Sequence, residues 1–391
     1  MNKTTSLFSQ LLKQIPRLEF SRLAKQHQSE RHARGFDSWT QLVSMLFCQI
    51  ARADSLREIC QGLKSSSGKL LHLGVKESPN KSTLSYANQH RSAGLFEELF
   101  WRMLERYRAD GKLGKRNTKF RFKNKLLSFD STTISLCLNL FPWAKFRRAK
   151  GGVKAHVMLD HDDYMPSYVL ITEAKRHDSQ VLKELNLKAE SIIVMDRAYN
   201  DYKQFSTWTE QGVFFVTRMK ENAVYKVVKR KSIPQRRSIR SDQLIRLSGA
   251  SAMDKCPQVL RRIVVWDEPN QREIVVLTNH LEFGATTIAD IYKARWHIEL
   301  FFKALKQNLK IKTFIGVSEN ALRIQIWTAM IAMLLLKWLH YLSKAGLSFA
   351  NIASLIRLNL FSHRDLLKWL DDPFDTPPDE PLSAQMNLVW T

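Results

Sequence analysis

Apolar residues recur on one face of Thr286–Lys312, TTIADIYKARWHIELFFKALKQNLKIK, and no proline or glycine interrupts the chain before Gly316. At about 100° per residue, Ile291, Ala294, Ile298, Phe301 and Leu305 form one stripe, which predicts a continuous amphipathic helix. Thr287 is its expected start, with Asp290 in the first turn to complement the helix dipole. Beside the apolar stripe runs a polar one, Tyr292, Arg295, Glu299 and Lys306, within an arc of about 60°. Glu299 is therefore expected at the rim of a core. Alone, Arg295 and Glu299 read as an i,i+4 ion pair, a common feature that contributes only ~0.2–0.5 kcal/mol.

Period-two and wholly apolar runs mark strands in the middle of the chain. Leu126, Leu127 and Phe129, followed by Thr132, Thr133 and Ile134, have strand composition around Asp130. A carboxylate inside a strand is unfavourable unless it is paired or bound to a metal. GVKAHVMLD and YMPSYVLITEA, separated by HDD, predict a hairpin in which Lys154 and His156 share a face. His156 reads either as a satisfied strand histidine or as a contact of the site. Asp178 and Ser179 are expected to cap a helix over SQVLKELNL. Ile192–Met195 is short and wholly apolar, as in strands buried on both faces of an α/β sheet. It ends at Asp196-Arg197, with a helix expected from about Asp201. A carboxylate at the carboxyl end of such a strand is where α/β sheets place chemistry, although a helix cap would look the same. Val213–Thr217 predicts another strand. Residues from Met219 to about Val276, including VLRRIVVW and REIVVLTN, read as a mostly β insertion.

The first 110 residues read as helical. A short helix, a turn and a helix opening at Lys81 suggest a helix-turn-helix, with Lys81, Gln89, His90 and Arg91 toward a major groove. A plain helical hairpin is the competing reading. The apolar run Ile326–Leu336 is too short to cross a bilayer and predicts a buried helix expected to pack against the sheet. These patterns divide the chain into a helical N-terminal domain (1–110), a basic linker (111–125), an α/β domain (126–345), and C-terminal helices with an acidic tail (346–391).

Charge narrows the function classes. Of 391 residues, 61 are Lys or Arg and 37 are Asp or Glu, a formal net charge of +24 that favours a polyanionic partner, nucleic acid before membrane. Cations concentrate in the linker and again at Lys229, Arg230, Lys231, Arg236 and Arg237, where phosphate binding competes with simple solvation. Trp208 and Trp266 are candidates to stack on a displaced base, or core residues. The four scattered cysteines form no C-x2-C pair, which argues against a zinc site and a disulfide framework. The N-terminus lacks a signal-peptide core. A cytoplasmic, nucleoid-associated protein that meets no membrane is expected.

The spacing Tyr292-x2-Arg295-x3-Glu299-x6-Lys306 resembles the signature of the insertion-sequence-four family of bacterial DDE transposases. Asp130-Ser131-Thr132 and Asp196-Arg197-Ala198-Tyr199 resemble that family's first and second aspartate motifs. The resemblance spans roughly residues 126–340. It implies an α/β fold: a ribonuclease-H-like catalytic core with a mostly β insertion, preceded by an all-α N-terminal domain. It further implies that Asp130, Asp196 and Glu299 are catalytic and metal-binding, and that two Mg²⁺ ions are used, with Mn²⁺ able to substitute. Tyr292, Arg295, Lys306 and Arg197 would contact DNA. The expected partners are double-stranded transposon inverted-repeat ends and target DNA, bound by a homodimer in a synaptic complex. Hairpin ends, their resolution and strand transfer belong to the same expectation.

The chemistry suits that residue set. Phosphodiesters resist attack because the anionic phosphate repels nucleophiles and the leaving alkoxide is poor, which a pair of divalent ions counters. Mg²⁺ prefers oxygen ligands, so three carboxylates suit it better than His or Cys. A metal-dependent nuclease of the same fold and a catalytically inactive DNA-binding relic are the alternatives.

Overall fold

The computed structural model describes residues 5–31, 33, 35–66, 68–111, 113, 120–136, 145–147, 150–234, 238–311 and 313–375. The chain opens with α1 (Leu7–Leu12), α2 (Arg17–Gln26), α3 (Ser38–Ala51), α4 (Leu56–Ser65), α5 (Lys81–His90) and α6 (Gly94–Ala109). The strands are β1 (Leu126–Leu136), β2 (Lys145–Arg147), β3 (Lys150–Asp160), β4 (Pro166–Glu173), β5 (Ile192–Met195), β6 (Phe214–Arg218), β7 (Tyr225–Arg230), β8 (Ile239–Leu247), β9 (Leu260–Asp267) and β10 (Arg272–Thr278). Between strands lie α7 (Asp178–Val181), α8 (Tyr202–Glu210) and α9 (Ala250–Lys255). After them come α10 (Ala285–Ala294), α11 (Trp296–Asn308), α12 (Glu319–Leu342), α13 (Phe349–Leu358) and α14 (Leu366–Asp371). Two compact units result, residues 114–303 and residues 1–113 with 304–391.

In the first unit the strands run β4-β3-β1-β5-β6-β10-β9-β8-β7, with β2 also on β3. β1 is antiparallel to β3 and parallel to β5, and β5 is parallel to β6. All four residues of β5 are buried, because both faces of the central sheet are covered. Ile192 and Val194 pack with Ile288 and Ile291 of α10 on one face. Ile193 and Met195 pack with Phe205 and Trp208 of α8 on the other. The insertion continues this sheet, since β10 pairs antiparallel with β6. β8 was hidden by charge: IRSDQLIRL carries its buried positions among polar ones.

A buried ion pair staples the insertion to the approach of α10. Arg261 donates from Nε to Asp242 Oδ1 at 2.8 Å and from Nη2 to Oδ2 at 2.7 Å, and both side chains are 2% exposed. Arg261 Nη1 also donates to the backbone carbonyls of Leu281 and Phe283.

The second unit corrects three expectations. α12 packs against α3, α5, α6 and α13, with 89% of its most apolar window buried there, so it is not part of the sheet unit. Residues 304–391 form one compact unit with the N-terminal helices, and the C-terminal segment pairs with the N-terminus through Ser6 and His363. Among the described residues, α4 and α5 do not form the expected helix-turn-helix, because a 3-10 turn, Leu70–Leu73, lies between Ser65 and Lys81. That motif needs a turn of about 3–4 residues. Arg91 is committed inward, donating to Gln41 Oε1 at 3.3 Å and to the Phe36 carbonyl, which corrects its assignment to DNA. Lys81 opens α5 and is exposed.

Asp242→Ala should destabilise the protein by about 3–5 kcal/mol, because it leaves the Arg261 charge buried and unpaired. Replacing both partners with apolar residues should cost less. Denaturant unfolding of the single and double variants measures the difference.

Candidate active site

Parallel pairing brings the two aspartates to neighbouring positions. Leu126–Phe129 pairs in register with Ile192–Met195, ending at Phe129↔Met195, so Asp130 and Asp196 each follow the last matched residue of their strands. Adjacent strands lie about 4.8 Å apart. Strand alternation points Asp130 to the same face as Leu126, the face covered by α10. Asp196 caps a short 3-10 turn, Arg197–Tyr199, accepting from the Arg197 N–H at 2.7 Å.

The helix from Ala285 supplies the remaining groups, but it is broken where a single helix was expected. α10 ends at Ala294 and α11 starts at Trp296. Around the break the backbone bonds shorten to i→i−3: Arg295 N–H to the Tyr292 carbonyl at 3.2 Å and Ile298 N–H to the Arg295 carbonyl at 3.1 Å. The cause is local. His297 Nδ1 lies 2.8 Å from the Ala294 carbonyl, the acceptor Ile298 would otherwise use.

Arg295 sits between two candidate carboxylates. Its Nη2 donates to Glu299 Oε1 at 2.7 Å and its Nη1 is 3.8 Å from Asp130 Oδ2. Its guanidinium carbon also lies 5.8 Å from the centre of the Tyr292 ring. Burial opposes its charge, but Tyr292, Glu299 and Asp130 outweigh that and push its pKa up. Arg295 Nε is buried with no hydrogen-bond partner among the described residues.

Asp130 is held at about pKa 6, raised first by burial and further by Glu299 and Asp196, against the lowering influence of the Ser131 N–H and Arg295. Its Oδ1 accepts from the Ser131 N–H at 2.8 Å and from the Tyr199 hydroxyl at 3.4 Å. Asp178 was expected to cap a helix, yet its side chain accepts from Ser131 Oγ at 3.1 Å and Lys154 Nζ at 3.0 Å. It thereby anchors the residue whose N–H holds Asp130, a role no local spacing revealed.

A groove of about 770 Å³ opens beside these groups, lined by Asp196, Arg218, Trp266, Tyr292, Lys293 and Arg295 among others. Trp266 is partly exposed there, whereas Trp208 is 1% exposed and is core. His156 is a buried strand histidine, with Nε2 3.0 Å from Thr172 Oγ1 and burial lowering its pKa to about 4. Arg197 is exposed and donates to Glu221 Oε1 at 2.5 Å. Lys229 and Arg230 are exposed on edge strand β7. Lys231 instead donates to the Leu281 carbonyl at 2.8 Å, which draws it toward the protein. Arg236 and Arg237 lie outside the described residues. Lys306 is half-buried in the last turn of α11, the helix that carries Glu299 in its first.

Three carboxylates are a chemically suitable oxygen set for a hard divalent ion. Among the described residues, however, no three His, Cys, Asp or Glu groups converge tightly enough to hold one. Arg295 instead occupies the space between Asp130 and Glu299.

The raised Asp130 pKa sets a pH dependence. The folded protein holds this proton more tightly than the unfolded chain, so the stabilisation exists below about pH 4 and is lost as pH rises toward 6. Without divalent ions, Asp130→Asn should be more stable than the parent at pH 8 by roughly 1–3 kcal/mol, and equal to it below pH 4. Thermal unfolding in chelator across that range measures it.

Residues 121–335 match the family described as Transposase DDE domain, and residues 3–76 match a domain of unknown function (DUF4372). The chain named as transposase for insertion sequence element IS5377 of Geobacillus stearothermophilus is 34% identical over 251 residues, covering 64% of this chain and 66% of that one. The Sinorhizobium fredii (strain NBRC 101917 / NGR234) chain named as transposase y4zB is 33% identical over 293 residues, covering 74% of this chain and 80% of that one. Among solved structures, the piggyBac transposase synaptic complex with hairpin DNA aligns at TM-score 0.45 and 10% identity, covering 95% of this chain and 81% of that one. With the DDE domain match running from the first core strand into α12, and a relative matched over four fifths of its length, the chain belongs to the Transposase DDE domain family of insertion-sequence enzymes.

Proposed function

We propose that this transposase cuts and rejoins DNA at the inverted-repeat ends of an insertion sequence, with Asp130, Asp196 and Glu299 as its catalytic carboxylates. The observation that carries the reading is the register Phe129↔Met195, which sets the two aspartates side by side beneath the helix bearing Glu299. Burial first, and then Glu299 and Asp196, raise the Asp130 pKa, so the three carboxylates act on one another electrostatically, which supports the reading. The order β4-β3-β1-β5-β6, with β1 antiparallel to β3 and parallel to β5, supports a ribonuclease-H-like core.

Asp130, Asp196 and Glu299 would hold two divalent ions, Mg²⁺ or Mn²⁺ in its place, which activate the attacking oxygen and stabilise the departing one. The chain's own part is to supply carboxylate oxygens and to neutralise phosphate. Tyr292, Arg295 and Lys306 are proposed to meet the DNA end, and the groove beside Asp196 supports that assignment for Tyr292 and Arg295. Arg197, Lys229 and Arg230 are exposed cations suited to the DNA backbone. Lys81 on α5, Lys231, Arg236 and Arg237 complete the proposed contacts. Hairpin ends, a homodimeric synaptic complex and work at the nucleoid in the cytoplasm belong to the same reading.

The test incubates purified protein with Mg²⁺ and DNA carrying the element's inverted repeats. Strand cleavage and joined products are expected. Asp130→Ala, Asp196→Ala and Glu299→Ala should each lower the rate by about 10³-fold, roughly 4 kcal/mol, while DNA binding persists. Cleavage without joining would favour a nuclease. Binding without strand breakage in Mg²⁺ or Mn²⁺ would leave a DNA-binding relic.

A further inference from the structure

The β3–β4 turn contains a tyrosine in a backbone conformation that side chains rarely adopt. Tyr164 has φ +54°, in the left-handed region, where a bulky residue is strained and persists only if its surroundings hold it. They do hold it. Tyr164 N–H donates to the Asp160 carbonyl at 2.8 Å, and Asp160 N–H donates to the Met165 carbonyl at 2.9 Å. Asp160 Oδ1 accepts from the Asp162 N–H at 3.0 Å, and Asp163 Oδ1 from the Met165 N–H at 2.9 Å. Lys125 Nζ lies 2.6 Å from carboxylate oxygens of both Asp160 and Asp162. His161 is 6% exposed, with Nε2 2.7 Å from Ser128 Oγ on β1.

This rigid turn presents its ring to the helix break. Tyr164 stacks on His297 with ring centroids 4.6 Å apart and planes at 22°, and His161 meets the same imidazole edge-on at 5.6 Å. His297 is the residue that takes the Ala294 carbonyl out of the helical ladder. Arg295 and Glu299, two residues before and two after His297, form the 2.7 Å pair at the candidate site. The strained residue closes its own turn through its N–H and, with its ring, reaches the interruption in the candidate helix.

We propose that Tyr164, with His161 behind it, is a positioning clamp that holds His297 and the Arg295–Ile298 break, and so sets the direction of Glu299 and Arg295. The link to catalysis rests on the proposed role of Glu299, whereas the clamp itself does not.

The test uses the full chain and separates the two. Tyr164→Asn keeps a residue that accepts the left-handed conformation but removes the ring, and Tyr164→Phe keeps the ring. Tyr164→Gly relieves the strain and removes the ring together. Thermal unfolding should stay within about 4 °C of the parent for Asn and Gly, since lost stacking and relieved strain offset. Hydrogen exchange in peptides covering residues 290–300 should accelerate at least about fivefold for Asn and Gly and stay unchanged for Phe. In Mg²⁺-dependent cleavage, kcat should fall on the order of tenfold to a hundredfold for Asn and Gly with KM little changed, and be retained by Phe. Unchanged exchange in the Asn and Gly variants, an equal loss in Phe, or faster exchange with undiminished kcat would each overturn the proposal. If the parent protein cleaves no DNA, the catalytic reading falls, and exchange alone decides the clamp.

Discussion

Two parallel strands that end together set the terms for everything around the candidate site. Once Leu126–Phe129 lies in register with Ile192–Met195, Asp130 and Asp196 become neighbours, and their like charges oppose each other in a partly desolvated place. Such an arrangement persists only with compensating positive charge or with a proton. The fold supplies both answers. Arg295 reaches Asp130 and Glu299 from the helix above, and Asp130 holds its proton up to about pH 6. The strain is electrostatic, and it is concentrated where a phosphodiester enzyme needs affinity for cations.

The surroundings are built to keep that arrangement from relaxing. Asp178, fixed by Lys154, holds Ser131, whose backbone N–H fixes one Asp130 oxygen. On the opposite side, Tyr164 and His161 press on His297 at the helix break. Farther out, the Arg261–Asp242 pair ties β8 and β9 to the segment that leads into α10. Each of these contacts joins residues distant in sequence, and each constrains an element rather than a single atom.

The helical unit obeys different physics. Its core is one long apolar helix, α12, wrapped by helices from both ends of the chain. Two of its buried amides are well paired: Gln325 donates to the Lys310 and Thr313 carbonyls and accepts from the Ile315 N–H, while Gln49 donates to the Gln325 carbonyl. A buried amide left without these partners would carry a desolvation penalty, so the two glutamines also fix how the segment after α11 returns to the unit. That return is why the chain divides at residue 303 rather than where the helical pattern pauses.

Local pattern determined what local forces control. Period-two and wholly apolar runs marked β1, β5, β9 and β10, and Arg295 still meets both Tyr292 and Glu299 across the helix break. The polar stripe they share misled about continuity: His297 diverts the Ala294 carbonyl, an effect of side-chain placement that periodicity does not carry. β8 escaped notice because its buried Asp242 is tolerable only opposite Arg261, a partner 19 residues away. Arg91 and Lys231 looked like free cations because composition reports charge, not the carbonyls waiting to receive it. Residue types, spacing and a family resemblance together pointed to Asp130, Asp196 and Glu299 as candidates. Which strand lies beside which, where α12 is buried and what clamps the helix depend on contacts between distant segments, and those exist only once the chain has folded.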